Sequence, residues 1–175
     1  MNHDSYDEDH IAGILKTTRR IAMIGASANT VRPSYFVLKY MLAKGYTMIP
    51  VNPGLAGQQL LGQDVVGALA DVPAPVHMVD IFRNSEAALD IVREAIALKD
   101  KLSIQVIWMQ LGVRNDAAAA EAEAAGLKVV MNRCPKIEYA KLSGEIGWAG
   151  VNSGRLSSQR PKLSPGGVQR HLLED

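Results

Sequence analysis

Five short apolar runs, 21–24, 48–51, 77–81, 104–108 and 127–131, recur along the chain, separated by longer mixed stretches. Each is continuous rather than alternating and rich in Val, Ile and Met, and most give way within a few residues to Gly, Asn or Pro. Strands covered on both faces read this way, because neither set of side chains meets water. The stretches between them carry helix signals. Pro33 suits a first turn and Gly45 a stop, with Val37, Tyr40 and Met41 at helical spacing. Asn84 caps a second helix, with Glu86 in its first turn and Leu89, Val92 and Ile96 on one face. Asn115 and Asp116 open a third, alanine-rich helix that Gly126 closes. An amphipathic piece over about 8–17 precedes the first run. The span 52–72, with Gly54, Gly57 and Gly62, predicts no clear element beyond a short helix before Asp71.

Strands alternating with helices predict an α/β domain with a doubly wound, mostly parallel five-stranded sheet of Rossmann-like type, because right-handed crossovers place helices on both faces. Residues 1–142 form that domain in this reading. Residues 143–175 hold six Gly and two Pro, and predict an irregular wrap and tail of the same domain, with Trp148 helping to cover one end of the sheet.

Composition narrows the function by exclusion. The chain has 175 residues and a net charge of +1. Its single Cys rules out an internal disulfide framework and a Cys-rich zinc site, and the four His form no spacing that predicts a metal centre. Lys and Arg never run beyond a pair, so no nucleic-acid footprint is expected. No apolar run approaches the roughly 20 residues of a membrane span. The acidic start, 1–9, is unlike a signal peptide, so a cytoplasmic protein is expected.

In open α/β sheets ligands bind beyond the carboxyl ends of the strands. The first such loop runs Gly25-Ala26-Ser27-Ala28-Asn29-Thr30-Val31-Arg32-Pro33-Ser34. Gly25 allows close backbone approach, and Ala26 keeps the amides open. Ser27, Asn29 and Ser34 add hydrogen-bonding side chains, and Arg32 can neutralise a phosphate at a helix N-terminus. This is chemistry for a diphosphate. The loop has neither the three glycines of the dinucleotide fingerprint nor a Gly-Lys-Ser/Thr element. The second strand ends Val51-Asn52-Pro53, without the carboxylate that would hold a ribose.

The Gly-Ala-Ser loop, Arg32-Pro33-Ser34-Tyr35, Val51-Asn52-Pro53, Val79-Asp80-Ile81-Phe82-Arg83-Asn84, Trp108-Met109-Gln110-Leu111-Gly112 and Asn132-Arg133-Cys134-Pro135 follow one another in a recognisable order. Together they resemble the small stand-alone CoA-binding-domain proteins, which are similar to the N-terminal CoA-binding domain of the succinyl-CoA synthetase α subunit. The resemblance covers about 8–142. It implies that the Gly25 loop holds the CoA pyrophosphate with Arg32 and Ser34, that Asn52 and Pro53 border the adenosine, and that Ile81, Phe82 and Arg83 close over the adenine and arm. Gln110, Leu111 and Gly112 would line the pantetheine path, and Arg133 and Cys134 would sit near the thiol. Related sequences often carry a Lys after the Val-x-Pro turn for the ribose 3′-phosphate; none occurs here between Lys44 and Lys99.

The expected function is therefore binding of coenzyme A or an acyl-CoA, without complete catalytic machinery. The alternatives are an NAD(P)-binding oxidoreductase and a CoA-ligase subunit that needs a partner chain; whether copies pair or a protein partner joins is left open. Asp80, inside an apolar run, is expected to bond neighbouring loop amides in a structural role. His77 reads as a strand-edge residue and Glu138 as a surface or capping residue. Arg133 is expected to favour the Cys134 thiolate, which would put a mixed disulfide with CoA within reach.

Overall fold

The computed structural model describes residues 1–145. Its sheet is built from β1 (Arg20–Ile24), β2 (Thr47–Val51), β5 (Met78–Ile81), β6 (Val106–Met109) and β7 (Lys128–Val130), in the order β2-β1-β5-β6-β7, all parallel. A separate hairpin pairs β3 (Gln59–Leu60) with β4 (Gln63–Asp64). The chain leaves β1 toward one edge of the sheet and returns to its other side as β5. The connections that follow β1 and β5 run to opposite faces, and such a switch point is the usual ligand position of doubly wound sheets.

Helices cover both faces, as the unbroken apolar strands require. On one face α3 (Ser85–Leu102) and α4 (Asp116–Ala124) set Val92, Ala95, Ala118 and Ala122 against Ala22, Val79 and Ile107. Alanine along α4 lets helix and sheet approach closely. On the other face α1 (Glu8–Thr17), α2 (Pro33–Ala43) and α5 (Pro135–Leu142) set Ile14, Leu15, Leu38, Met41 and Tyr139 against Met23, Met48, Met78 and Trp108. Truncating a fully buried residue such as Leu38 to Ala should cost ~2–5 kcal/mol. Tyr40 and Tyr46 each meet Tyr139 edge-on at 6.0 Å, which anchors α5.

The expected helix ends are in place. Pro33 opens α2, and the Asn84 and Asn115 side chains accept the Ala87 and Ala118 amides at 3.0 and 2.9 Å. Gly45 and Gly126 stand at positive φ beyond their helices. The span 52–72 forms two 3₁₀ turns, Pro53–Leu55 and Leu69–Asp71, flanking the hairpin, so the expected short helix is a single 3₁₀ turn. Helix α5 was not predicted. The fourth strand begins two residues later than its apolar run, and the Ile104 amide still donates back to the Lys99 carbonyl of α3 at 2.9 Å. Pro50 lies in edge strand β2, where its carbonyl, and with it the position of its missing N–H, faces outward to the Val66 amide at 3.1 Å.

Two segments tie the ends of the described chain to this frame. The Tyr6 hydroxyl accepts the Met131 amide at 2.8 Å, and Asp4 pairs with Arg114 at 2.6 Å. After α5, Glu145 pairs with the buried Lys44 at 2.6 Å and accepts the Tyr40 hydroxyl at 2.8 Å. Trp148 and the rest of 146–175 lie outside the described residues. Among the described residues no helix is long and apolar enough to cross a membrane.

Candidate functional site

Gly25 sits at φ +88°, and a Cβ there would lie 2.9 Å from the Phe82 carbonyl oxygen and 3.1 Å from Arg83 Cδ. The loops after β1 and β5 thus meet at a point that only glycine allows. The Gly25 and Ala26 amides both donate to the Val51 carbonyl, at 3.0 and 3.3 Å, and so belong to the sheet edge. Ser27 Oγ accepts the Asn29 amide and Asn29 Oδ1 accepts the Val31 amide, each at 3.1 Å. Among the described residues, no protein acceptor takes the Ser27 and Ala28 amides. Asn52 donates from Nδ2 to the Ala26 carbonyl at 2.7 Å and accepts the Gly54 amide on Oδ1 at 2.8 Å, clamping the β2 turn to this loop.

Beside the loop lies a cleft of about 490 Å³, walled by Val31, Pro33, Phe36 and Val37 of the α2 start, Phe82, Leu111 and Val113, and Ile137 of α5. Val31, Phe36, Leu111 and Ile137 are four of the six large hydrophobic residues exposed on the described surface. Their gathering in one place marks the cleft as apolar surface kept for contact. The polar side chains lining it are Arg83, Gln110, Cys134 and Lys136, with no carboxylate among the described residues. The N-termini of α2 and α5 both open here, and their dipoles add positive potential.

Asp80 lies beneath the floor, in register with Met23 of β1 and Trp108 of β6. It is fully buried, and its partner is not a loop amide, as the sequence suggests, but Gln110, whose Nε2 lies 2.8 and 3.0 Å from the two carboxyl oxygens. Burial without a cationic partner pushes Asp80 up to about 8, and the Gln110 bond only partly offsets it. His77 behaves as a strand-edge residue: its Nδ1 accepts the Arg19 and Arg20 amides at 3.2 Å, and burial, with those two arginines, lowers its pKa.

The expected effect of Arg133 on Cys134 needs correction. The guanidinium turns toward the Tyr6 ring at 5.3 Å, the Asn132 carbonyl at 2.8 Å and Glu138 at 4.0 Å. Burial instead pushes the Cys134 thiol up, with Asp80 adding to the shift, which favours the neutral thiol. Glu138 pairs with Lys141 at 3.1 Å and is not among the lining residues.

Of the other residues singled out from sequence, Phe82, Arg83, Gln110, Leu111 and Cys134 converge on the cleft. Ser27, Asn29 and Arg32 stand on the loop beside it, Arg32 exposed at the cap of α2. Ser34 is buried in the first turn of that helix, and Pro53 opens the 3₁₀ turn after β2. Gly112 holds the β6 loop to the β7 loop, its amide donating to Asn132 Oδ1 at 2.8 Å. The Ile81 side chain does not reach the cleft; it is fully buried in the core beneath α3 and α4. Sequence reasoning missed Val31, Phe36, Val113, Lys136 and Ile137. The one available signal was Pro135, a helix-opening residue directly after the Cys134 loop.

A family model described as a CoA binding domain matches residues 19–140. The Bacillus subtilis (strain 168) protein YneT is 33% identical over 130 residues, which cover 74% of this chain and 92% of that one. A Pyrococcus horikoshii OT3 structure is 32% identical with a TM-score of 0.73, covering 81% of this chain and 96% of its own. A Thermus thermophilus structure is 31% identical with a TM-score of 0.72, covering 78% and 99%.

Proposed function

This chain belongs to the CoA binding domain family, and from that premise we propose that it binds coenzyme A or an acyl-CoA in the cleft beside the Gly25 loop. The observation that carries the reading is the lining itself. Apolar walls are combined with three hydrogen-bond donors, Arg83, Lys136 and the Cys134 thiol, under two helix N-termini. Such a surface suits a ligand that joins phosphates to an uncharged, acceptor-bearing arm. The free Ser27 and Ala28 amides, the α2 start and Arg32 take the pyrophosphate. Asn52 and Pro53 border the adenosine, and Phe82, Gln110 and Leu111 flank the pantetheine. The thiol or thioester end points toward Cys134, between α2 and α5. Arg83 or Arg32 supplies the charge for the 3′-phosphate in place of the absent Lys. This reading assigns no bond-making step to the chain's own residues.

Thermal shift and calorimetry with CoA, acetyl-CoA, dephospho-CoA, NAD and ATP test it. A ligand at 100 times its Kd stabilises the folded state by about 2.7 kcal/mol. CoA or acetyl-CoA should give such a shift and NAD should not. Silence with both CoA ligands at millimolar concentration, or a larger response to NAD, overturns the reading. Equal shifts with CoA and dephospho-CoA would mean that the 3′-phosphate is not read.

A further inference from the structure

Gln110 spends one end of its carboxamide on a fully buried carboxyl group and lines the cleft itself. The two ends of a carboxamide have opposite character, one donating and one accepting, and exchange by a half-turn of the terminal torsion. Which end Asp80 takes therefore fixes which end is left for a ligand. A charged Asp80 can only accept, so it holds Nε2 and leaves Oε1 for the cleft. A neutral Asp80 carries an O–H that needs an acceptor. It takes Oε1, and the half-turn delivers Nε2 to the cleft.

We propose that Asp80 and Gln110 form a proton-linked selector at the cleft floor, which sets whether a bound ligand meets a donor or an acceptor there. This rests on the CoA reading above. The other polar lining groups, Arg83, Lys136 and the Cys134 thiol, are donors, so the arm that crosses them offers acceptors, the amide and thioester carbonyls. A carbonyl over Gln110 selects the neutral carboxyl, and binding takes up one proton from solvent.

The surroundings leave little else to titrate. Met23 and Trp108 flank Asp80 from β1 and β6, and the Cys134 thiol before α5 is the titratable group whose field couples to it. The charged groups of the cleft are Arg83 and Lys136. Burial pushes the Asp80 carboxyl up to about 8, within the range where the full chain can be handled.

The experiment is calorimetry of acetyl-CoA, which has no thiol to titrate, from pH 6 to 9.5 in two buffers of different ionisation enthalpy. Alongside it, the Asp80 carboxyl ¹³C shift of the native chain is followed with and without ligand. The selector predicts a Kd that is level below the Asp80 titration and rises up to tenfold per pH unit above it, with proton uptake over the same range. By linkage the ligand must raise the carboxyl midpoint by the logarithm of the same affinity ratio. Asp80→Asn should bind without uptake and lack the Asp80-dependent rise. The carboxyl titration needs no variant, so a misfolded substitution leaves the proposal exposed. Binding with the same pH profile in both chains, a midpoint unmoved by ligand, or a free carboxyl in the ordinary acidic range overturns the selector alone. Absence of heat at every pH overturns the CoA reading and the selector with it.

Discussion

Replacing Gly25 by Ala places a methyl group where the loops after β1 and β5 touch. The cost has two separable parts. A non-glycine residue at φ +88° gives up ~1–2 kcal/mol through its own backbone. The new Cβ also lies 2.9 Å from the Phe82 carbonyl oxygen, and Phe82 cannot easily retreat because its amide continues the β1–β5 ladder through the Ile24 carbonyl at 2.8 Å. Overpacking of that kind adds ~1–3 kcal/mol, for a total of ~2–5 kcal/mol. Gly57 provides the control, since it stands at φ +81° with nothing within 4 Å of a Cβ. Gly57→Ala should lose only the backbone part, ~1–2 kcal/mol. Urea unfolding with linear extrapolation measures both, and the slope m should match the parent if the fold is kept. The Gly25 variant should also bind CoA at least tenfold more weakly, and the Gly57 variant as the parent does. If the two variants lose stability equally within 0.5 kcal/mol, a figure near the scatter of additive mutational effects, the loop contact contributes nothing and the reasoning fails.

Asp80 makes stability fall as pH rises. Its folded pKa, about 8, is above the ordinary 3.8, so between those values the folded chain holds a proton that the unfolded chain has released. The benefit is complete below about pH 4 and is lost toward pH 8 at up to ~1.4 kcal/mol per unit. Subtracting the profile of Asp80→Asn should isolate that slope, and parallel profiles would refute it. Glu145→Gln removes the 2.6 Å counter-charge of the buried Lys44 ammonium, which keeps its contacts with the Tyr40 and Tyr139 rings, and should cost ~2–4 kcal/mol, with much of the loss recovered in a Lys44→Met, Glu145→Gln double variant. A double-mutant cycle by urea unfolding measures the coupling, and additive losses would show that the pair does not act as a unit.

Helix starts and stops were legible because they act through a few neighbouring peptide groups. Asn84 and Asn115 cap, and Gly45 and Gly126 end, whatever lies across the molecule. The sheet class was legible for a similar reason, since Val79 and Ile107 sit in runs that only a doubly covered strand explains. Helix α5 was not: its eight residues do not gather their apolar side chains into one stripe, and its hold on the fold comes from Tyr40 and Tyr46, almost a hundred residues away. The cleft was half legible. Phe82 and Gln110 belong to a familiar motif, but Phe36 and Ile137 become neighbours only when two helix starts converge. The partner of Asp80 is 30 positions away, and the direction of Arg133 depends on Tyr6 at the far end of the chain. No local pattern encodes either contact.

Pro50 bears on how copies of this molecule can meet. At the outer margin of β2 its ring nitrogen has no hydrogen to offer, its carbonyl is already taken by Val66, and the Asn52 amide is spent on the same residue. Between Pro50 and Asn52 an incoming extended segment would find no free valences, so recruitment by β-augmentation is closed along that stretch. Self-association beside Pro50 has to proceed through side-chain surfaces.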